Sequence, residues 1–382
     1  MTARDAGALR FGRGVDTRCG GTVVLRYSGL LRALLALGVL VPGMASVCRP
    51  ASAGPVLLFE PASGNVLYAD DADLPWYPAS LTKLMTGYLT FIALKEGKVT
   101  WDTKIVTSEK ANAQPPSKIG LAVGGEMTLD QGVRALIIKS ANDVAMMLAE
   151  TIGGSEEGFV EKMNLVAKRL GMSRTHFVNP NGLPDPGQVT TARDMGLLAR
   201  AVLRDFPEYA SLFAEQKMYV GRSRIGTHNS LLKTFEGADG MKTGFVCASG
   251  FNVVASATRD GRKLVAVVLG ETSGLSRAQR ATSLLEYGFE QHAWKVALDP
   301  RKIEAMAMQP AVAGDPRDLR VLDQAFKCGP NSRPRVRNRV AVQRANAKAA
   351  RVAAAKTGKK GETASAGVAT GSASGDKAAA KN

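Results

Sequence analysis

Apolar residues recur along this chain with two periods, and the switches between them mark out its elements. Pro55-Val-Leu-Leu-Phe59 and Val66-Leu-Tyr68 read as two strands joined by the turn Ala62-Ser-Gly-Asn65, which makes a β-hairpin. Residues 70–76 are polar loop. Leu81, Leu84, Met85, Leu89 and Ile92 then fall at helical spacing, so a helix begins at Ser80 and stops at Gly97. Residues 99–123 hold no sustained period and read as extended chain and loop. Thr128-Leu-Asp-Gln131 is a capping box that opens a helix ending near Lys139. After the break Ser140-Ala141-Asn142, a second helix covers residues 143–152. A third covers 156–170 and is closed by Gly171.

In the second half, residues 176–188 form a loop rich in Asn, Pro and Gly, and Thr191-Ala-Arg-Asp194 caps a helix that runs to Arg204. Residues 217–220 read as a strand. Met241-Lys242-Thr243-Gly244-Phe245 enters a sheet. Residues 250–257 and 263–269 are two strands joined by the tight turn Arg259-Asp-Gly261. A final amphipathic helix spans 277–292. Strands at both ends with helices between them predict an antiparallel sheet sandwiched by helices.

The two ends differ from this middle. The first 53 residues carry a basic stretch (Arg4 to Arg32), an apolar run over residues 30–41, and the small-x-small site Ala51-Ser52-Ala53, which together read as an export signal. The apolar run is broken by Pro42-Gly43 and is short for a membrane span, although an uncleaved anchor is the alternative reading. Residues 331–382 hold twelve Lys and Arg against Glu362 and Asp376, about ten of the net +16 of the 382-residue chain. With no hydrophobic period, they read as a disordered basic tail that either leans on an anionic envelope surface or is simply solvated. The expected organisation is a signal at 1–53, a domain at 54–298, a short extension at 299–330 and the tail. An exported chain is a poor nucleic-acid partner.

Removal of the signal takes Cys19 and Cys48 with it. Cys247 and Cys328 remain, and an even pair in an exported chain predicts the disulfide Cys247–Cys328. Three histidines and two cysteines offer no metal-ligand spacing, so neither metal nor cofactor is expected.

Candidate chemistry lies at the element boundaries. Ser80 and Lys83 are one helical turn apart and project from the same face, where a neutral lysine can take the proton of the serine. Ser-x-x-Lys also occurs at Ser230/Lys233 and Ser374/Lys377, Ser-x-Asn at Ser63/Asn65 as well as Ser140/Asn142, and Lys-Thr-Gly at residues 356–358 as well as 242–244. The copies at 80–83, 140–142 and 242–244 stand at a helix start, a break between helices and the start of a strand, where polar groups can converge on a cleft.

From about Gly54 to His292 the chain resembles the D-alanyl-D-alanine carboxypeptidase family of penicillin-binding proteins, on Pro78-Ala-Ser-Leu-Thr-Lys-Leu-Met85, Ser140-Ala-Asn-Asp143, Asn181-Gly-Leu183 and Asp239-Gly-Met-Lys-Thr-Gly-Phe245. The resemblance implies an α+β fold of the β-lactamase/transpeptidase type, a five-stranded antiparallel sheet flanked by helices plus a helical subdomain. It implies Ser80 as the acylated nucleophile, Lys83 as base, Ser140 as proton relay and Asn142 as the orienting amide. Lys242 and Thr243 would hold the terminal carboxylate of a peptidoglycan stem peptide ending in D-Ala-D-Ala, and Gly244 would admit the substrate backbone. Backbone N–H groups of Ser80 and Phe245 would form the oxyanion hole, and Arg277 would add a second carboxylate contact. β-Lactams would acylate Ser80. The rivals are a D,D-endopeptidase or transpeptidase, a β-lactamase using a carboxylate such as Asp185, and a non-enzymatic wall-binding relative.

Overall fold

The computed structural model describes residues 54–309. Strands β1 (Val56–Phe59) and β2 (Val66–Asp70) form the expected hairpin. Helix α1 (Lys83–Lys95) follows a 3₁₀ turn at Ala79–Thr82, so Ser80 lies in the tight turn and the α-helix proper starts at Lys83. Next come β3 (Lys104–Val106), α2 (Glu109–Asn112), β4 (Glu126–Thr128) and α3 (Leu129–Arg134). α3 passes into a π-helical turn at Ala135–Lys139. α4 (Asn142–Gly153), α5 (Glu156–Arg169) and α6 (Ala192–Asp205) complete the helical part. The short hairpin β5 (Lys217–Val220) and β6 (Ser223–Gly226) precedes α7 (Leu231–Thr234). The chain then returns to the sheet as β7 (Ala238–Val246), β8 (Gly250–Arg259) and β9 (Arg262–Glu271), and ends its regular structure in α8 (Gly274–Leu298).

The sheet has five strands in the order β2-β1-β9-β8-β7, each pair antiparallel. Its central strands read as unbroken apolar runs because both faces are covered. Val265, Val267 and Leu269 of β9 pack with α1 and α6, while Leu264, Ala266 and Val268 pack toward α8. Asp260 and Gly261 both take positive φ in the β8–β9 turn, the backbone that a two-residue hairpin needs. A second apolar cluster, built from α3, α4 and Ile105, underlies the helical part. β7 is left as an edge strand facing that part, and the candidate residues lie along this seam.

The capping box at Thr128 and the Thr191 cap form as expected. α8 begins three residues before Arg277 because Ser273 caps it by accepting the Ser276 N–H, and it runs six residues past His292. β3 and β4 pair across what reads in sequence as loop. Residues 299–309, assigned from sequence to the extension, run back over the first hairpin. Val66 N donates to Arg301 O, Ile303 is fully buried, and the Arg193 guanidinium donates to Met306 O and Ala307 O. The export signal, Cys328 and the basic tail lie outside the described residues, and no described helix is long and apolar enough to cross a membrane.

Candidate active site

Ser80 is half-buried on its 3₁₀ turn, and two glycines let backbone close on that turn. A Cβ on Gly244 would sit 3.1 Å from the backbone nitrogens of Ser80 and Leu81, and one on Gly182 would meet Ala79 O at 1.9 Å. From below, Asn252 of β8 donates its amide to Tyr77 O at 3.0 Å and Pro78 O at 3.3 Å and accepts Gly270 N–H at 2.9 Å. The turn is therefore held between β7, β8 and the 176–188 loop.

Lys83 is 2% exposed. Its Nζ donates to Asn142 Oδ1 at 2.8 Å and Asn181 O at 2.5 Å, and lies at hydrogen-bond distance, 3.0 Å, from Ser80 Oγ. Burial, and then the nearby Lys242, hold its pKa well below that of a free lysine, against the opposing charge of Asp143. The Asn142 amide is fixed by its other end, since Nδ2 donates to Pro115 O at 2.9 Å and so turns Oδ1 toward Lys83. The Asp143 carboxylate accepts backbone N–H groups of Ile119, Gly120 and Val144.

Ser140 terminates the π-helical turn with φ 59° and ψ 40°, a left-handed conformation that swings its side chain across to the sheet. There Lys242 Nζ donates to Ser140 Oγ at 2.8 Å and to Thr243 O at 2.9 Å. Lys242 is 3% exposed; burial, and then Arg277, lower its pKa to about 7. Arg277 is buried in the first turn of α8, reaches His228 O at 3.4 Å and Asn252 O at 3.5 Å, and has its own pKa lowered to about 10 by burial. The Phe245 ring is 41% exposed and packs on Phe251 with centroids 4.2 Å apart. His228 sits at the rim, its pKa depressed by burial and then by Lys242, Lys139 and Arg277.

The fold thus gathers Ser80, Lys83, Ser140, Asn142, Lys242, Thr243, Gly244 and Arg277 into one seam. Asn181, Asn252 and Asp143 had no assigned role in the sequence reading; Asn252, a lone amide inside an apolar strand, was the visible signal. The spare motif copies lie elsewhere. Ser230 and Lys233 are exposed on the surface, and Ser63 Oγ serves the β1–β2 turn by accepting Asn65 N–H at 3.1 Å. Those at Ser374/Lys377 and residues 356–358 lie outside the described residues. Among the described residues, no group of His, Cys, Asp and Glu could hold a metal ion. Cys247 is disulfide-bonded, while Cys328, its expected partner, lies outside the described residues.

The family model for D-alanyl-D-alanine carboxypeptidases matches residues 45–273, more than half of the chain. The chain belongs to this family. It is similar to the D-alanyl-D-alanine carboxypeptidases DacA of Haemophilus influenzae (36% identity over 239 residues, 61% of each protein) and DacC of Escherichia coli (36% over 280 residues, 69% of this chain and 70% of the other). Among solved structures it resembles penicillin binding protein 5 from Haemophilus influenzae, with a TM-score of 0.61, 35% identity, and coverage of 62% of this chain and 71% of that one. The match takes in 61–62% of the length of the first two curated relatives. The shared fold is that of penicillin-binding proteins and DD-transpeptidases, as expected from the sequence.

Proposed function

We propose that the chain is a serine-type D-Ala-D-Ala carboxypeptidase that trims the terminal D-alanine from peptidoglycan stem pentapeptides and is acylated at Ser80 by β-lactams. The observation that carries this reading is the set of partners around the Lys83 amine. A neutral amine has two N–H groups and one lone pair. Asn142 Oδ1 and the Asn181 carbonyl can only accept, so they take the two N–H groups, and the lone pair is left facing the Ser80 hydroxyl. Lys83 with a lowered pKa is thereby poised as a base.

The substrate's terminal carboxylate is held by protonated Lys242, by Thr243 and by Arg277 through charge-assisted hydrogen bonds. Lys83 takes the Ser80 proton as Oγ attacks the carbonyl carbon. The oxyanion is stabilised by the backbone N–H groups of Ser80 and Phe245. The proton then passes from Lys83 through the Ser140 hydroxyl to the leaving nitrogen. The C–N bond breaks, D-alanine departs, and an ester on Ser80 remains. Water, deprotonated by Lys83, attacks this ester and restores the serine. Gly244 lets β7 close on the Ser80 turn, because a Cβ there would meet backbone atoms of Pro78, Ser80 and Leu81 at 3.1 Å.

Export to the periplasm or outer face of the membrane is part of this proposal and is supported by the character of the first 53 residues, as tail contact with an anionic surface is by the charge of residues 331–382. The test is D-alanine release from a pentapeptide ending in D-Ala-D-Ala by the full chain. Release should vanish in Ser80→Ala, together with covalent labelling by benzylpenicillin. Release that persists in Ser80→Ala would refute the mechanism.

A further inference from the structure

The hairpin of β5 and β6 lies against the π-helical turn that delivers Ser140, and its two faces differ. Met218 is buried, and Val220 and Ile225 pack beside it, in the cluster that holds Ala135, Leu136 and Ile138 of that turn. Side chains alternate along a strand, so Lys217 and Tyr219 point away from this cluster, and the register sets Arg224 directly across from Tyr219. Arg222 stands in the connecting turn. Lys217, Tyr219, Arg222 and Arg224 are all exposed, Tyr219 at 56%. Among the described residues, none of the three cations has a carboxylate partner, and Glu215, just before β5, is paired with Arg134.

This cationic face runs up to the site. Lys139 directly precedes Ser140 and also lacks a carboxylate partner among the described residues. His228, just past β6, hydrogen-bonds the Lys139 backbone, and its carbonyl accepts from Arg277 at 3.4 Å. The face therefore ends where Lys242 and Arg277 hold the terminal carboxylate of the substrate. A stem peptide in the cleft runs from there toward Val246, away from the hairpin, so the hairpin face is left for another part of the same polymer.

Its chemistry limits what that part is. Arginine forks match carboxylates, and several unpaired cations on one face attract an acidic chain through their summed field. The ring of Tyr219 among them adds apolar contact with a polar tip. A bilayer surface asks for a row of exposed apolar side chains; among the described residues of the hairpin, Tyr219 alone is large, apolar and exposed.

We propose that the outer face of the β5–β6 hairpin is a docking surface for polymeric peptidoglycan, on which Lys217, Arg222 and Arg224 hold the carboxylates of a stem peptide other than the one being cut. This inference rests on the carboxypeptidase reading, from which it takes the class of polymer.

The test uses full chains acylated with benzylpenicillin, which fills the cleft, and measures their co-sedimentation with insoluble peptidoglycan. Lys217→Gln/Arg222→Gln/Arg224→Gln should bind about tenfold more weakly than wild type at about 50 mM salt, the size of three rim charges, and the gap should close at about 0.5 M. Lys162→Gln/Lys168→Gln/Arg169→Gln, which removes as much charge from α5, should bind like wild type. On the short uncharged substrate diacetyl-lysyl-D-Ala-D-Ala, the hairpin variant should keep the wild-type kcat/KM, which also shows that it is folded. Equal binding by wild type and hairpin variant, or an equal loss in the α5 variant, overturns the docking surface. So does a loss seen with phosphatidylglycerol vesicles and not with peptidoglycan, which would assign the face to lipid. Absence of D-alanine release by the wild type strikes the carboxypeptidase reading itself, whereas release with unchanged peptidoglycan binding in the hairpin variant strikes the docking surface alone.

Discussion

Lys83 and Lys242 each place a buried amine on one of the two serine hydroxyls, Lys83 Nζ at 3.0 Å from Ser80 Oγ and Lys242 Nζ at 2.8 Å from Ser140 Oγ. Each is pushed toward its neutral form chiefly by burial, and Lys83 further by the charge on Lys242. The proposed roles demand opposite states, a neutral Lys83 and a charged Lys242.

That opposition predicts a bell-shaped pH profile. Raising pH through the lowered pKa of Lys83 frees the base, so kcat/KM climbs. Raising it through about 7, where Lys242 loses its proton in the free enzyme, removes a carboxylate anchor, so kcat/KM falls. A free lysine would hold its charge to about 10.4. Lys242→Arg keeps the charge and should move the falling limb to higher pH. D-alanine release measured between about pH 5 and 10 checks this, and a wild-type profile still rising at about pH 9 contradicts it.

Ser140 carries a Cβ in the left-handed region, which costs an L-residue about 1–2 kcal/mol. Ser140→Ala keeps that strain and loses the hydroxyl; Ser140→Gly loses both. Both variants should lose most acylation, because neither can relay a proton or accept from Lys242. Ser140→Gly should nonetheless unfold at higher denaturant than Ser140→Ala, by about 1 kcal/mol. Equal midpoints in urea melts would show that the left-handed turn is not a source of strain.

What the sequence revealed of this site depended on whether side chain or backbone did the work. The caps at Thr128 and Thr191, the first hairpin, and strands β8 and β9 were legible because local chemistry and apolar runs specify them. Ser80, Ser140 and Lys242 were legible as boundary residues. Asn181 was not, since it holds Lys83 through its carbonyl, and a carbonyl leaves no mark in the residue type. The pairing of β3 with β4 was hidden because three-residue strands show no period. Arg277 was named only through the family resemblance, since its local pattern is that of an ordinary helix position; the approach of α8 to β8 and His228 buries it beside Lys242.

Gly244 offers a test of close approach. Its missing Cβ would stand 3.1 Å from Ser80 N, Leu81 N and Pro78 O, all backbone atoms with little freedom to yield. Gly244→Ala should cost about 1–3 kcal/mol as an overpacked contact and slow β-lactam acylation by displacing the Ser80 N–H. Unchanged acylation kinetics would place the oxyanion hole elsewhere.

The disulfide at Cys247 lies in the turn between β7 and β8, next to Val246 and Ala248. Peptide mapping of the oxidised, mature chain without reductant should show Cys247 linked to Cys328. Two free thiols, or a different partner, would refute that pairing.

Asn252 couples the sheet to the nucleophile through three hydrogen bonds of one buried amide, two given to Tyr77 O and Pro78 O and one taken from Gly270 N. Ser80 follows Pro78 by two residues, so these bonds set the height of the catalytic turn against β7. Asn252→Leu has similar bulk but leaves three buried backbone groups unpaired, and should destabilise by about 2 kcal/mol or more. Asn252→Asp can still accept from Gly270 but cannot donate to Pro78, and it buries a charge. Both variants should acylate slowly with β-lactams even under conditions where they remain folded by circular dichroism. If folded Asn252→Leu acylates at the wild-type rate, the residue supports only the sheet, and the position of Ser80 is set by Gly182 and Gly244 alone.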